Sequence, residues 1–123
     1  MKVTISITKN FKNEAKPLLK KFHSLGKDLE KLEAELLENP RLGTSLGFDA
    51  YKIRLKITSK RKGKSGGGRV ITLLETDIIG IAESVSETVT TVNLLSIFDK
   101  SDTETISDSE LKDLIKNFRQ NKK

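Results

Sequence analysis

An α+β domain is the fold class that this sequence predicts, and two observations carry the prediction. Residues 3–7 and 51–57 alternate apolar with polar side chains, and β-branched runs follow Arg69, the pattern of strands with a buried face. Residues 11–36 and 111–118 instead repeat apolar side chains at steps of three and four, the stripe of a helix packed on a core.

The elements follow in order. Val3, Ile5 and Ile7 alternate with Thr4, Ser6 and Thr8 in a first strand. Thr8 or Asn10 is placed to cap a helix carrying Phe11, Ala15, Leu18, Leu19 and Phe22. Pro17 inside it removes a backbone donor, so a kink or a late first turn is expected there. Leu25, Leu29, Leu32 and Leu36 define a second amphipathic helix that ends before Pro40, because the residue preceding a proline is pushed out of the helical region. The two form a helical hairpin. Gly43 and Gly47 mark a loop, and "YKIRLKI" (residues 51–57) reads as a strand with Ile53, Leu55 and Ile57 on one face and Lys52, Arg54 and Lys56 on the other. Tyr51 alternates onto the Ile53 side, which favours a core role over stacking on a base. "RVITLLETDIIGIA" and "TVTTVNLLSIF" are two further strands, with a turn at "AESVSE". Ser107 and Glu110 have capping-box spacing ahead of Leu111, Leu114, Ile115 and Phe118.

Short connections between successive strands favour antiparallel pairing. The expectation is a small antiparallel sheet of about four strands, with the helical hairpin on one face, a short C-terminal helix, and an opposite face left partly open to carry the cations. The 123 residues suit a single domain with one modest core.

The charge is unevenly spread. Residues 50–74 hold eight basic side chains and no acidic one, whereas the rest of the chain has 15 basic against 17 acidic residues. A positive field confined to one segment points to a polyanion, most often nucleic acid; a solvated, solubilising face is the plainer alternative. The absence of cysteine excludes disulfides, thiol catalysis and zinc–thiolate sites. The first residues lack the features of a signal peptide, and no apolar run is long enough to span a membrane. A soluble, cytoplasmic protein is expected, without a membrane partner.

"SKRKGKSGGGRVI" (residues 59–71) contains "GKS", but Thr58 stands where a phosphate-binding loop needs glycine, and a strand follows rather than a helix. A flexible linker explains Gly66, Gly67 and Gly68 but not the cations beside them. A basic, flexible loop over residues 59–68 that folds on a phosphate backbone explains both. His23 is the only histidine and lies between helices, far in sequence from the cations, so it is not assigned as a base. Asp99 and Asp102 flank Lys100 without a further carboxylate or histidine cluster; no metal and no cofactor are expected.

The phrases "FKNEAKPLLKKF", "LEKLEAELLENPRLG", "YKIRLKI", "KGKSGGGRVI" and "LLSIFDKSDTETIS" occur in that order over nearly the whole chain. In this arrangement the sequence resembles the RelE/ParE toxin superfamily, nearest to the RelE-type and HigB-type mRNA interferases of type II toxin–antitoxin systems. The resemblance implies a metal-independent endoribonuclease that cuts mRNA on the ribosome, leaving a 2′,3′-cyclic phosphate and a 5′-hydroxyl. It also implies a cognate antitoxin, encoded nearby, whose complex sets the oligomeric state. By matched position, Lys52, Arg54, Arg69 and Lys100 would be catalytic: Arg54 and Arg69 gripping the scissile phosphate, Lys52 as base, Lys100 as acid or second phosphate contact. Crowding by like charges favours the neutral form of a lysine, which is why Lys52 is the candidate base. Lys56, Lys60, Arg61, Lys62 and Lys64 would bind RNA. Some relatives place a tyrosine or histidine near the start of the last helix, where this chain has Ile106. The alternative within the superfamily is a ParE-like inhibitor of DNA gyrase, or a catalytically weak protein that keeps the fold and binds an antitoxin or nucleic acid.

Overall fold

The computed structural model describes residues 2–59, 67–82, 85–100 and 106–121, with side chains described throughout except at 79–82, 85 and 86. In chain order the elements are β1 (Lys2–Ile7), α1 (Lys9–Lys21), α2 (Leu25–Glu38), β2 (Thr44–Gly47), β3 (Ala50–Leu55), β4 (Gly68–Ala82), β5 (Val85–Asp99) and α3 (Asp108–Gln120). They build one five-stranded sheet in the order β1-β5-β4-β3-β2.

This corrects the expected sheet in three respects. It has five strands rather than about four, and it is mixed, because β1 pairs in parallel with β5 from Lys2↔Val89 to Ile7↔Leu94. The segment read as a loop between Gly43 and Gly47 contributes a short edge strand, β2, with Gly47 opposite Ala50 across a two-residue turn. Phe48 and Asp49 in that turn have φ of 57° and 63°, the left-handed pair that matches the twist of a tight hairpin. At the other end of the sheet, the β4–β5 ladder continues to Ala82↔Val85, so the turn there is narrower than "AESVSE".

Helix placement is the third correction. α1 and α2 lie together over Ile53, Leu55, Val70, Val92, Leu94 and Ile97, and their own Phe11, Ala15, Leu25, Leu32 and Leu36 complete that core. α3 joins a second cluster, in which Leu111 and Ile115 meet Ala50, Ile71, Leu73 and Leu95. Ala50 and Ile53, or Val70 and Ile71, belong to opposite faces of a pleated strand. The helices therefore sandwich the sheet, and the face expected to be open is covered over part of its length by α3. A register shift between Ile71 and Thr72 leaves Leu95 without a partner opposite it, and this bulge turns Leu95 into the α3 cluster.

Local chemistry explains the helix ends. The Thr8 hydroxyl accepts the Phe11 N–H and caps α1, which runs uninterrupted through Pro17. The Ser107 hydroxyl and Glu110 carboxylate of α3 form the capping box that their spacing predicts. α1 also closes the exposed margin of β5 beyond the end of β1. The Asn10 side-chain amide donates to the Leu95 carbonyl at 2.8 Å, and Glu14 accepts from the Ser96 hydroxyl at 2.7 Å and the Ile97 N–H at 3.3 Å.

Candidate nucleic-acid interface

The cationic side chains are gathered by the register of three strands. Arg54 of β3 lies directly opposite Arg69 of β4, and Arg69 lies directly opposite Phe98 of β5. Directly opposed residues of antiparallel strands share a face, so Arg54, Arg69 and Phe98 form one row on the α3 side of the sheet. Lys52 stands in the row formed with Ile71 and Ser96, two residues along β3 and hence roughly 7 Å away on the same face.

Lys56 and Lys100 flank the next position. Lys100 donates its N–H to the Gly67 carbonyl at 3.1 Å, while a Cβ on Gly67 would run into the Leu55 carbonyl and the Ile57 nitrogen. Gly67, at φ 52°, thus fits its backbone between the end of β3 and the end of β5, which no larger residue could do without displacing one of them. Consequently Lys52, Arg54, Lys56, Arg69 and Lys100 converge on one end of the sheet, although 48 positions separate the first from the last in "YKIRLKI…IFDK".

Their environments differ. Arg54 and Lys56 are exposed, and Lys52 and Lys100 are half-buried. Arg69 is only 4% exposed, and one of its guanidinium nitrogens donates to the Gly68 carbonyl at 2.9 Å. Burial, and then the neighbouring Arg54 charge, lower the Arg69 pKa from its ordinary value. Both causes disfavour the cation, so an anion placed beside these two guanidinium groups would relieve the repulsion and replace lost solvation.

A groove of about 440 Å³ runs beside β3, between α2 and residues 42–44, lined by Lys31, Lys52, Arg54 and Lys56 but also by Asp28 and Glu35. β2 pairs only with residues 50–52 of β3, which leaves the outer margin of β3 from Ile53 onward facing this groove. Where β3 ends, the chain is tied to α2: buried Asp28 accepts from the Thr58 hydroxyl at 3.0 Å and the Thr58 N–H at 3.1 Å, and the Ser24 hydroxyl accepts the Ser59 N–H at 2.8 Å. The basic segment therefore departs from a fixed point. Lys60, Arg61, Lys62 and Lys64, expected to bind RNA, lie outside the described residues.

Phe98, not among the residues expected at the site, is half-buried, packs against the α3 cluster and stands beside Arg69 in the cationic row, so the part of its ring left exposed could stack on a base. The signal was in "IFDKSD", where strand alternation sends Phe98 to the side opposite Ile97. Asp99, by contrast, is buried with Lys21 Nζ 3.6 Å from its carboxylate. Tyr51 packs against the helical-hairpin core, and Arg41 donates to its hydroxyl at 3.3 Å. His23 is exposed. Ile106 packs against the α3 cluster. Among the described residues, no three His, Cys, Asp or Glu side chains gather to hold a metal ion, and no helix is long and apolar enough to cross a membrane.

Comparison with known proteins finds no matching family model, curated protein or solved structure.

Proposed function

We propose that this chain is a RelE/ParE-like toxin of a type II toxin–antitoxin system that acts as a metal-independent endoribonuclease on mRNA held in the ribosome. The observation that carries the reading is the cross-strand Arg54–Arg69 pair, set among Lys52, Lys56 and Lys100 at one end of the sheet. Two adjacent guanidinium groups present parallel donors to the oxygens of a single phosphate.

In the proposed reaction the RNA 2′-oxygen attacks the adjacent phosphorus as the bond to the 5′-oxygen breaks. Lys52 takes the 2′-hydroxyl proton, and Lys100 supplies one to the departing 5′-oxygen. Arg54 and Arg69 stabilise the extra negative charge that gathers on the phosphorane oxygens. Phe98 lies where it could stack on a base next to the cut. An antitoxin that covers this end of the sheet would silence the enzyme by occupying the cations.

The packing of Ile106 against the α3 cluster favours a second reading. With an apolar residue built into the packing where some relatives carry a tyrosine or histidine, the same cations would serve binding, as in a ParE-like gyrase inhibitor. The nature of the RNA ends separates the two. Incubated with mRNA and ribosomes, the enzyme should yield 5′-hydroxyl ends that polynucleotide kinase labels directly, and cyclic 3′ ends; a 2′-deoxy substitution at the cut site should block cleavage. Intact mRNA together with inhibited gyrase supercoiling would overturn the ribonuclease reading.

A further inference from the structure

A second cationic feature lies on the α3 side of the sheet, away from the Arg54–Arg69 row. Lys112, Lys116 and Arg119 fall at steps of four and three along α3 and so share one helix face. With Phe48, Ile115 and Gln120 they line a groove of about 570 Å³ that has no acidic residue in its lining. Phe48 is 61% exposed, and Lys112 Nζ stands 5.9 Å from the centre of its ring. An exposed phenylalanine at φ 57° is unusual twice over, since bulky side chains disfavour left-handed backbone and gain nothing from facing water.

We infer that the groove between Phe48 and α3 binds one base and its flanking phosphates of a single-stranded nucleic acid, extending the track that begins at Arg54. The ring offers a stacking face, Ile115 an apolar floor, and the three cations a counter-charge for the backbone, the combination that holds unpaired strands irrespective of sequence. Continuity supports the same occupant. Ala50, Lys52 and Arg54 alternate onto the α3 side of β3, and Lys52 stands two strand residues, roughly 7 Å, beyond the end of the turn that carries Phe48. An acidic peptide would satisfy the charges but leaves that alignment with the cationic row unexplained. The inference rests on the RNA-binding reading given above.

The test measures the binding of labelled single-stranded RNA of roughly four and about twelve nucleotides, lengths that bracket the site sizes of such surfaces. It compares wild type with Arg54→Ala, Phe48→Leu, Phe48→Tyr and Lys116→Ala, each checked for folding by circular dichroism. Arg54→Ala should weaken both lengths. Phe48→Leu should weaken only the longer RNA, by about tenfold, and Phe48→Tyr should restore it. Lys116→Ala should lower the salt dependence of the longer RNA by about 0.7 in the log–log slope, the value of one phosphate contact. If Arg54→Ala weakens binding but Phe48→Leu does not, the second groove is not part of the track and the RNA-binding reading stands. If wild type binds neither length, both fall. If Phe48→Leu abolishes binding of an acidic, phenylalanine-containing peptide while leaving the longer RNA unchanged, the groove belongs to a protein partner and the inference is overturned.

Discussion

Arg54 and Arg69 occupy opposed positions on neighbouring strands, where like charges are unfavourable by a fraction of a kcal/mol. The buried member, Arg69, bears the greater burden, since it is also desolvated. Such a repulsion between neighbouring guanidinium groups suits a phosphate-binding site, where a bound anion offsets it. Replacing Arg54 by glutamine should therefore stabilise the free protein while lowering its activity. Because Arg54 is exposed, water screens the repulsion, and the gain should be only a few tenths of a kcal/mol. Denaturant melts check the sign, and the yield of cleaved RNA checks the loss. A variant that is less stable and equally active would remove the reason for calling this pair a site. The cations themselves were legible in the sequence, because strand alternation alone places Lys52, Arg54 and Lys56 together. Phe98 was legible only in part: alternation sends it to the side opposite Ile97, but nothing in "IFDKSD" says which neighbour it meets across the sheet.

At the scale of elements, α3 shows how far short-range signals reach. The Ser107 hydroxyl accepts from the Glu110 N–H at 3.1 Å, and the Ser107 N–H donates to the Glu110 carboxylate at 3.0 Å. Donation to the carboxylate from the Ser107 backbone N–H, and then from the Ser107 side chain, holds the Glu110 pKa below its ordinary value of 4.5. A group whose pKa is depressed on folding stabilises the fold above its unfolded pKa, and that contribution disappears as pH falls through the folded value. The difference in melting temperature between wild type and Glu110→Ala should thus be full above about pH 5 and shrink as the pH drops below the unfolded range. A difference that stays constant across that range would mean the carboxylate is not what caps α3. The capping box could be read from four residues, but β2 could not. Its turn uses Phe48 and Asp49 where the recognisable tight turn has Asn-Gly or Asp-Gly, and two glycines at Gly43 and Gly47 disguise the strand as a loop. The extent of α1 through Pro17 has a similar origin, since packing of Phe11 and Ala15 outweighs the missing hydrogen bond of one proline.

The whole molecule rests on two long-range choices. β1 pairs in parallel with β5, some 87 residues away in the Lys2↔Val89 register, and α3 lies on the face opposite α1 and α2. Neither follows from periodicity, which defines which side of each element is apolar but not which element covers it. The cations are gathered by the β3–β4–β5 register instead, and these two choices decide which layers cover the sheet around them. The proposed function requires that the cationic end of the sheet cut RNA. The most direct test is 5′-end mapping of a defined mRNA in a purified translation system, with and without ribosomes, for wild type and for Lys52→Ala, Arg54→Ala and Arg69→Ala. Wild type should give cuts within codons that need ribosomes and are lost in folded Arg54→Ala and Arg69→Ala protein. Cuts that persist in all three variants, or a complete absence of cuts from folded, antitoxin-free wild type, would contradict the proposed function.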